Sequence, residues 1–133
     1  MRVSELMRQP VVTVNLESTV KDAVVMLADD HISALPVTDV TGRMVGVLST
    51  TDILTAEAEA EDETAREALF AGTFVRDIMT ARPLTVSPGT DVREAAQQML
   101  YADVHRLFVT DGDRVVGVIS TSDIVRAVAT GHL

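Results

Sequence analysis

One eight-residue motif, GVLSTTDI at Gly46–Ile53, occurs a second time as GVISTSDI at Gly117–Ile124. Each copy begins with apolar residues, several of them β-branched, which are typical of a buried strand. Each copy then continues into hydroxyl residues, an aspartate and a further apolar residue, which indicates the N-terminus of a helix. The motif therefore predicts a strand that leads directly into a helix, at two places in the chain.

Such a strand-to-helix junction is a candidate anion site, because the first-turn N–H groups are unpaired and the helix dipole favours negative charge there. We expect hydroxyl donors for a phosphate from Ser49, Thr50, Ser120 and Thr121. Asp52 and Asp123 would repel a phosphate, but they can accept hydrogen bonds from a neutral diol such as a ribose. The alternative is that these residues only cap two helices. Two copies in matching frames favour a pair of related sites.

The repeat extends over nearly the whole chain. An offset of 72 residues pairs Val3 with Val75 and Met7 with Met79, and after a one-residue deletion in a turn an offset of 71 pairs the two motifs. We therefore predict a first repeat at 1–54, an acidic helical linker at 55–74 and a second repeat at 75–129. Two copies are too few for a stacked solenoid, so we expect them to pack face to face.

Within each repeat the pattern predicts a short helical lead-in, a strand, a helix, two strands and a second helix. Val11–Val14 is predicted as the first strand, and turns at Asp39–Gly42 and Asp111–Asp113 indicate hairpins. The Ala- and Glu-rich run Ala56–Ala68 favours a helix that stops at Gly72. Two apolar helix faces need to be covered by another surface, which predicts a homodimer. These faces are Val20/Val24/Leu27 and Ala95/Met99.

Composition excludes several classes of function. The 133 residues carry a net charge of −9, which would repel nucleic acids and anionic membranes, and 3 % aromatic residues offer no base-stacking platform. No apolar run approaches the roughly 20 residues that span a bilayer, and the N-terminus has no signal-peptide core. We therefore expect a cytoplasmic protein without membrane contact.

No metal site, cofactor or catalytic residue is predicted. The chain has no cysteine and three scattered histidines, of which His31 and His132 are expected at the surface. Ser49 and Ser120 have no neighbouring base in the sequence, and no Gly-rich phosphate-transfer loop occurs. An enzyme is therefore the weakest of the functional interpretations.

The ordered set of features resembles the cystathionine-β-synthase (CBS) domain family, whose members usually carry the domain in tandem pairs. The resemblance rests on the lead-ins Val3–Met7 and Val75–Met79, the segments Ile32–Val37 and Val104–Val109, and the two Gly-to-Asp motifs. It implies an α/β fold of two pseudo-symmetric β-α-β-β-α CBS units packed through their sheets. The pair is also similar to the nucleotide-sensing gamma subunit of AMP-activated protein kinases.

The resemblance implies that clefts between the repeats bind an adenosine nucleotide of the AMP, ADP or ATP class. Asp52 would hold the ribose, and His105 and Arg106 would reach the phosphate across the pair. Residues around the adenine and sugar would be Thr13, Val14, Ile32, Ser33 and Ala34. An arginine also suits a phosphate by its fixed fork of donors, although Arg106 could instead pair with an acid such as Asp103, and His105 could be an ordinary hydrogen-bonded histidine.

The function expected is thus a regulatory, ligand-sensing module that acts as a homodimer and, with no effector domain in the sequence, on an effector protein in trans. Two alternatives remain: a structural dimerisation module with empty clefts, and a module that binds S-adenosylmethionine. We expect the Asp123 site to bind more weakly than the Asp52 site, since Phe108 stands where the family usually has proline and Ala34 supplies no arginine.

Overall fold

The computed structural model of the chain describes residues 1–132. The strands are β1 (Val14–Asn15), β2 (Ala34–Thr38), β3 (Met44–Ser49), β4 (Thr80–Ala81), β5 (Thr85–Val86), β6 (Arg106–Asp111) and β7 (Arg114–Ser120). The helices are α1 (Val3–Leu6), α2 (Val20–Asp29), α3 (Thr50–Glu59), α4 (Glu63–Gly72), α5 (Val75–Ile78), α6 (Val92–Ala102) and α7 (Thr121–Ala129). The α/β class is confirmed, and so is the order β-α-β-β-α in each repeat.

The chain forms two compact units, which we name after the aspartate of the motif that each contains. The Asp52 unit comprises Val12–Pro83, and the Asp123 unit comprises Met1–Val11 together with the chain from Leu84 onward. Each unit therefore contains the helical lead-in of the other repeat: α5 lies in the Asp52 unit, and α1 lies in the Asp123 unit. The compact units and the sequence repeats are thus different divisions of the same chain.

The Asp52 unit is built on a four-stranded sheet in the order β1-β2-β3-β4, with β1 parallel to β2 and the other neighbours antiparallel. Its first strand is shorter than the predicted Val11–Val14, and β4 was not predicted at all. One face of the sheet packs against α2 and α5 through a buried core of Val14, Ala23, Leu27, Leu35, Val37, Leu48 and Val75.

The Asp123 unit is built on the three-stranded sheet β5-β6-β7. Arg8 adds one bridge to its edge, since the Arg8 N–H donates to the Val118 carbonyl at 2.8 Å and the Val118 N–H donates back at 3.1 Å. Phe108 is buried opposite Val118, at the position that Pro36 occupies opposite Val47. The buried core consists of Val3, Val86, Ala95, Met99, Leu107, Val109 and Ile119.

Both predicted hairpins are confirmed, as the pairing of β2 with β3 and of β6 with β7. In the first turn Asp39 Oδ1 accepts hydrogen bonds from the Thr41 hydroxyl, the Thr41 N–H and the Arg43 N–H. These bonds, that from the Thr41 hydroxyl first, lower the pKa of Asp39. In the second turn Gly112 has φ +64°, a conformation that glycine adopts without strain.

Two predictions about the helices are wrong. The run Ala56–Ala68 is not one helix, because α3 ends at Glu59 and α4 begins at Glu63 with Asp62 as its N-cap; α4 does end at Gly72. Of the helix faces expected to need cover, Val20 and Leu27 are 0 % and 5 % exposed, and Ala95 and Met99 lie in the Asp123 core, whereas Val24 is half-buried.

None of the helices within residues 1–132 combines the length and the apolar character that crossing a bilayer requires.

Candidate ligand-binding site

The two motifs form the same strand-to-helix junction. At the start of α3, Ser49 Oγ accepts a hydrogen bond from the Asp52 N–H at 3.1 Å, and Asp52 Oδ2 accepts one from the Ser49 N–H at 2.9 Å. At the start of α7, Ser120 and Asp123 repeat both bonds at 3.2 and 2.9 Å. This reciprocal capping box satisfies two backbone donors at each helix start. These four residues therefore do cap the two helices, whether or not they also contact a ligand.

The capping leaves less of each helix terminus open to an anion than the sequence suggested. The Thr50 N–H donates to the Ser33 carbonyl, and the Thr121 N–H donates to the His105 carbonyl, both at 2.9 Å. Together with the bonds to the serines, these contacts use two N–H groups in the first turn of each helix. Within residues 1–132 the side-chain hydroxyls of Thr50 and Thr121 have no hydrogen-bond partner, so they remain available as donors.

The Asp52 carboxylate is half-buried and only partly engaged. Besides the bond from the Ser49 N–H to Oδ2, its Oδ1 accepts a hydrogen bond from the Thr80 hydroxyl at 3.2 Å. These are its two hydrogen bonds to residues 1–132. A carboxylate offers about four lone-pair positions to donors. Asp52 therefore keeps about two positions for donors from outside the chain.

The Asp123 carboxylate is 5 % exposed and more fully engaged. Its Oδ2 accepts from the Ser120 N–H and the Ser120 hydroxyl, both at 2.9 Å. Its Oδ1 accepts from Arg8 Nε at 3.0 Å and lies 3.5 Å from a terminal nitrogen of Arg126. Burial raises the pKa of Asp123, but the bonds from Ser120 and the Arg8 guanidinium outweigh it, so the pKa lies below its ordinary value.

The single glycine of each motif explains how Arg8 and Thr80 reach the two aspartates. A Cβ at Gly46 would lie 2.7 Å from Met79 Sδ and 2.8 Å from the Thr80 carbonyl oxygen. A Cβ at Gly117 would lie 2.6 Å from Met7 Sδ and 3.1 Å from the Arg8 carbonyl oxygen. The bare glycine backbone thus lets each lead-in pack directly onto the strand, which brings the next side chain to the aspartate three residues into the helix.

The remaining predicted residues lie on the strands and loops beside these junctions. Ala34 pairs with Ser49 across β2 and β3, and Arg106 pairs with Ser120 across β6 and β7. Arg106 is half-buried and forms no hydrogen bond or ion pair with any of residues 1–132, Asp103 included. His105 is exposed, as are His31 and His132. Arg106 is thus a cation whose charge the described chain leaves unmatched.

The predicted residues divide between the units. The Asp52 unit brings together Thr13, Val14, Ile32, Ser33, Ala34, Ser49, Thr50 and Asp52, and the Asp123 unit contains His105, Arg106, Ser120, Thr121 and Asp123. Thr13 is exposed, whereas Val14 is 3 % exposed and packs in the core, so its side chain is not available to a ligand.

Sequence reasoning missed Thr80, Arg8 and Arg126. The repeat contained a signal, because Arg8 and Thr80 are matched at the 72-residue offset, and Arg126 is matched with Thr55 at the 71-residue offset. That signal had no meaning until the structure showed that each lead-in contacts the other repeat's aspartate.

The cavities of the Asp123 unit are small or remote from the motif. An open cleft of about 180 Å³ lies beside Asp123 and Arg126, and its other lining residues are Leu6, Ala127, Thr130 and His132. A larger hollow of about 440 Å³ lies against α6, away from the motif, between Leu84 and Tyr101. Within residues 1–132, no group of three or more His, Asp or Glu side chains is placed to hold a metal ion.

Comparison with solved structures finds the same fold in several proteins. The crystal structure of CBSX2 in complex with AMP is 30 % identical and superimposes with a TM-score of 0.82, covering 99 % of this chain and 98 % of that one. The CBS domain pair of protein MJ0100, in complex with 5′-methylthioadenosine and S-adenosyl-L-methionine, is 25 % identical with a TM-score of 0.81, covering 96 % and 99 %.

Curated relatives are longer than this chain. The chloroplastic CBS domain-containing protein CBSX1 of Arabidopsis thaliana is 28 % identical over 131 residues, which cover 83 % of this chain and 56 % of the relative. An inosine-5′-monophosphate dehydrogenase of Methanocaldococcus jannaschii is 29 % identical over 126 residues, which cover 94 % of this chain and 23 % of the enzyme. The chain spans about half the length of the first of these relatives.

The model of the CBS domain matches residues 3–59 and again residues 75–130. Those two matches contain both capping boxes, both lead-ins and both Gly-to-Asp motifs. The chain therefore belongs to the CBS domain family, as a tandem pair.

Proposed function

We propose that this chain is a regulatory module that senses an adenosine nucleotide, with Asp52 as the acceptor of the ribose hydroxyls. The observation that carries the proposal is the state of the Asp52 carboxylate, which is held in place by Ser49 and keeps about two lone-pair positions free. A ribose cis-diol presents two O–H donors to one carboxylate, which matches that number. The likeness to CBSX2, whose crystal structure contains AMP, supports the same ligand class.

We propose that the ligand contains an adenosine group, whose ribose lies at Asp52. AMP, 5′-methylthioadenosine and S-adenosylmethionine all contain it, and the related structures hold these three ligands. We propose AMP, ADP or ATP rather than S-adenosylmethionine, because Arg106 offers a permanently charged donor fork without a partner in residues 1–132. A guanidinium of this kind suits a phosphate and would repel the sulfonium of S-adenosylmethionine. His105 and the hydroxyls of Thr50 and Thr121 are further proposed phosphate donors.

A binding experiment tests these roles. In isothermal titration, Asp52→Ala should weaken AMP roughly ten- to a hundredfold, since a hydrogen bond to a charged group contributes about 1.5–3 kcal/mol. The same variant should weaken 2′-deoxy-AMP much less, because that ligand lacks one of the two hydroxyls. Arg106→Ala should weaken AMP and leave adenosine nearly unchanged.

Asp62→Ala is the matched control for Asp52→Ala. Asp62 is also an acidic capping residue, whose carboxylate accepts from the Ala65 N–H at the start of α4, but it is exposed and outside the motif. Its removal costs one cap and one negative charge without touching the ribose acceptor. Equal losses of AMP affinity in the two variants would show that helix capping or net charge, and not ribose recognition, explains the effect. Absence of AMP binding by the wild type would refute the proposal.

We propose that the module regulates rather than catalyses, and that it acts on an effector protein in trans in the cytoplasm. One relative, the inosine-5′-monophosphate dehydrogenase, supports a regulatory role, because the segment that matches this chain is only 23 % of that enzyme.

We also propose that the chain forms a homodimer. The residues that we propose for its interface differ from those that the sequence suggested. Four large apolar side chains are exposed on the two long helices of the Asp123 unit: Leu100 at 83 %, Tyr101 at 95 %, Val125 at 65 % and Val128 at 60 %. Contiguous exposed apolar residues mark association surfaces, and we propose that these four residues form such a surface. Light scattering should give about twice the chain mass of 14.3 kDa for the wild type and the monomer mass for Tyr101→Glu/Val128→Glu. A monomeric wild type would refute the dimer.

A further inference from the structure

The two motifs differ in what holds their aspartates. Asp52 has a threonine hydroxyl, that of Thr80, on its Oδ1, whereas Asp123 has the guanidinium of Arg8 on the equivalent oxygen. Arg8 and Thr80 are matched positions of the repeat, and each is placed by the same contact of a lead-in methionine with a motif glycine. The difference between the two sites is therefore a difference of side chain on a shared backbone arrangement.

Hydrogen-bond counting separates the two carboxylates further. Asp123 accepts three hydrogen bonds and has Arg126 within 3.5 Å, so its lone-pair positions are essentially filled. Arg126 is matched with Thr55 in the first repeat, so both arginines beside Asp123 are matched with threonines.

A ribose has little means of displacing these arginines. Its hydroxyls are neutral donors, whereas the Arg8 guanidinium adds the attraction of a permanent positive charge to its hydrogen bond with the carboxylate. Asp123 is also 5 % exposed, which limits screening of its ion pair with Arg8 by water. The buried carboxylate thus favours the contact, although the Arg8 side chain is 62 % exposed.

We infer that Arg8, assisted by Arg126, is the specificity-determining residue that closes the second motif, so that each chain binds one adenosine nucleotide, at Asp52. This inference rests on the proposed function. In the closed motif Asp123 serves as the internal partner of Arg8 and as a helix cap, and the first motif alone accepts a ribose. The two repeats thus share a backbone arrangement and differ in their ability to bind a ligand.

Exchanging the matched residues tests the inference by isothermal titration with AMP and with adenosine. The wild type should bind one equivalent of each ligand per chain. Arg126→Thr should also bind one, because Arg8 still donates to Asp123. Arg8→Thr/Arg126→Thr should bind two, and adding Asp123→Ala should return the number to one. In the opposite direction, Thr80→Arg should weaken AMP at least tenfold.

Arg93→Thr/Arg114→Thr is the matched control, because it removes two exposed arginines from the same unit without touching Asp123. It should bind one equivalent of each ligand, as the wild type does. Thermal melting of each variant checks that it is folded, and Thr80→Arg tests the inference independently of the substitutions in the Asp123 unit.

Four results would overturn the inference: two sites in the wild type, two sites in Arg126→Thr, one site in the Arg8→Thr/Arg126→Thr variant, or unchanged AMP affinity in Thr80→Arg. Loss of AMP binding in the Arg8→Thr/Arg126→Thr variant would also overturn it, since the arginines would then serve the phosphate. Absence of binding by the wild type and all variants would instead refute the proposed function, and the inference with it.

Discussion

The packing of each lead-in on a motif glycine makes Gly46→Ala the most informative test of the fold. The added Cβ would lie 2.8 Å from the Thr80 carbonyl oxygen and 2.7 Å from Met79 Sδ. The methionine can rotate away, but the carbonyl belongs to β4, which pairs with β3 at this position. Relief of the clash therefore requires β4 to move away from β3, which disturbs the edge of the sheet beside Asp52.

Overpacking of this kind costs about 1–3 kcal/mol. For a chain of 133 residues, 1 kcal/mol corresponds to about 4 °C in melting temperature. We therefore expect Gly46→Ala to lower the Tm by roughly 4–12 °C, as measured by circular dichroism or calorimetry. Gly117→Ala should cost less, because its nearest backbone oxygen lies at 3.1 Å and only the flexible Met7 side chain is closer.

Gly72→Ala is the matched control for this prediction. Gly72 is the last residue of α4, its backbone needs no positive φ, and a Cβ there would meet nothing within 4 Å. Alanine at such a position restricts the unfolded chain and stabilises the protein by about 0.4–1 kcal/mol. A Tm of Gly46→Ala at or above that of the wild type would refute the packing argument, and so would an equal loss in Gly72→Ala.

Two further predictions concern the capping boxes. Because its pKa is lowered in the folded protein, Asp123 contributes stability above its unfolded pKa of about 3.9 and loses that contribution as the pH falls through the folded value. The Tm of the wild type should thus exceed that of Asp123→Asn by its full amount near neutral pH, and this difference should shrink as the pH falls below about 4. A Tm difference that does not depend on pH would contradict the ion pair. Ser49→Ala should cost about 1 kcal/mol in urea unfolding, and Ser120→Ala should cost more, because its hydroxyl also donates to Asp123. Equal costs would show that this second bond contributes nothing.

Much of the fold could be predicted from the sequence because its signals are local. The alternation between apolar strands and capped helices, and the Asp-Gly turn at Asp111–Gly112, are properties of neighbouring residues, and the structure has the corresponding elements. The sequence signal for the break in the linker at 60–62 is weaker, since alanine and glutamate favour a helix on both sides. The sequence does not identify Asp62 as a cap, because that role depends on the turn of the chain before it.

The candidate site, like the fold, could be predicted from the sequence only in part. The sequence by itself determined that there are two related junctions, each with a capping serine and an aspartate, because the repeat and the capping pattern lie within eight residues. The expectation of a weaker Asp123 site came from Phe108 and Ala34, and only the tertiary structure showed that different side chains hold the two aspartates. The side chains that separate them, Arg8 and Thr80, are 115 and 28 residues away from their aspartates along the chain. They reach the aspartates because a glycine without a Cβ lets the lead-in of one repeat pack against a strand of the other, a contact that no local pattern specifies.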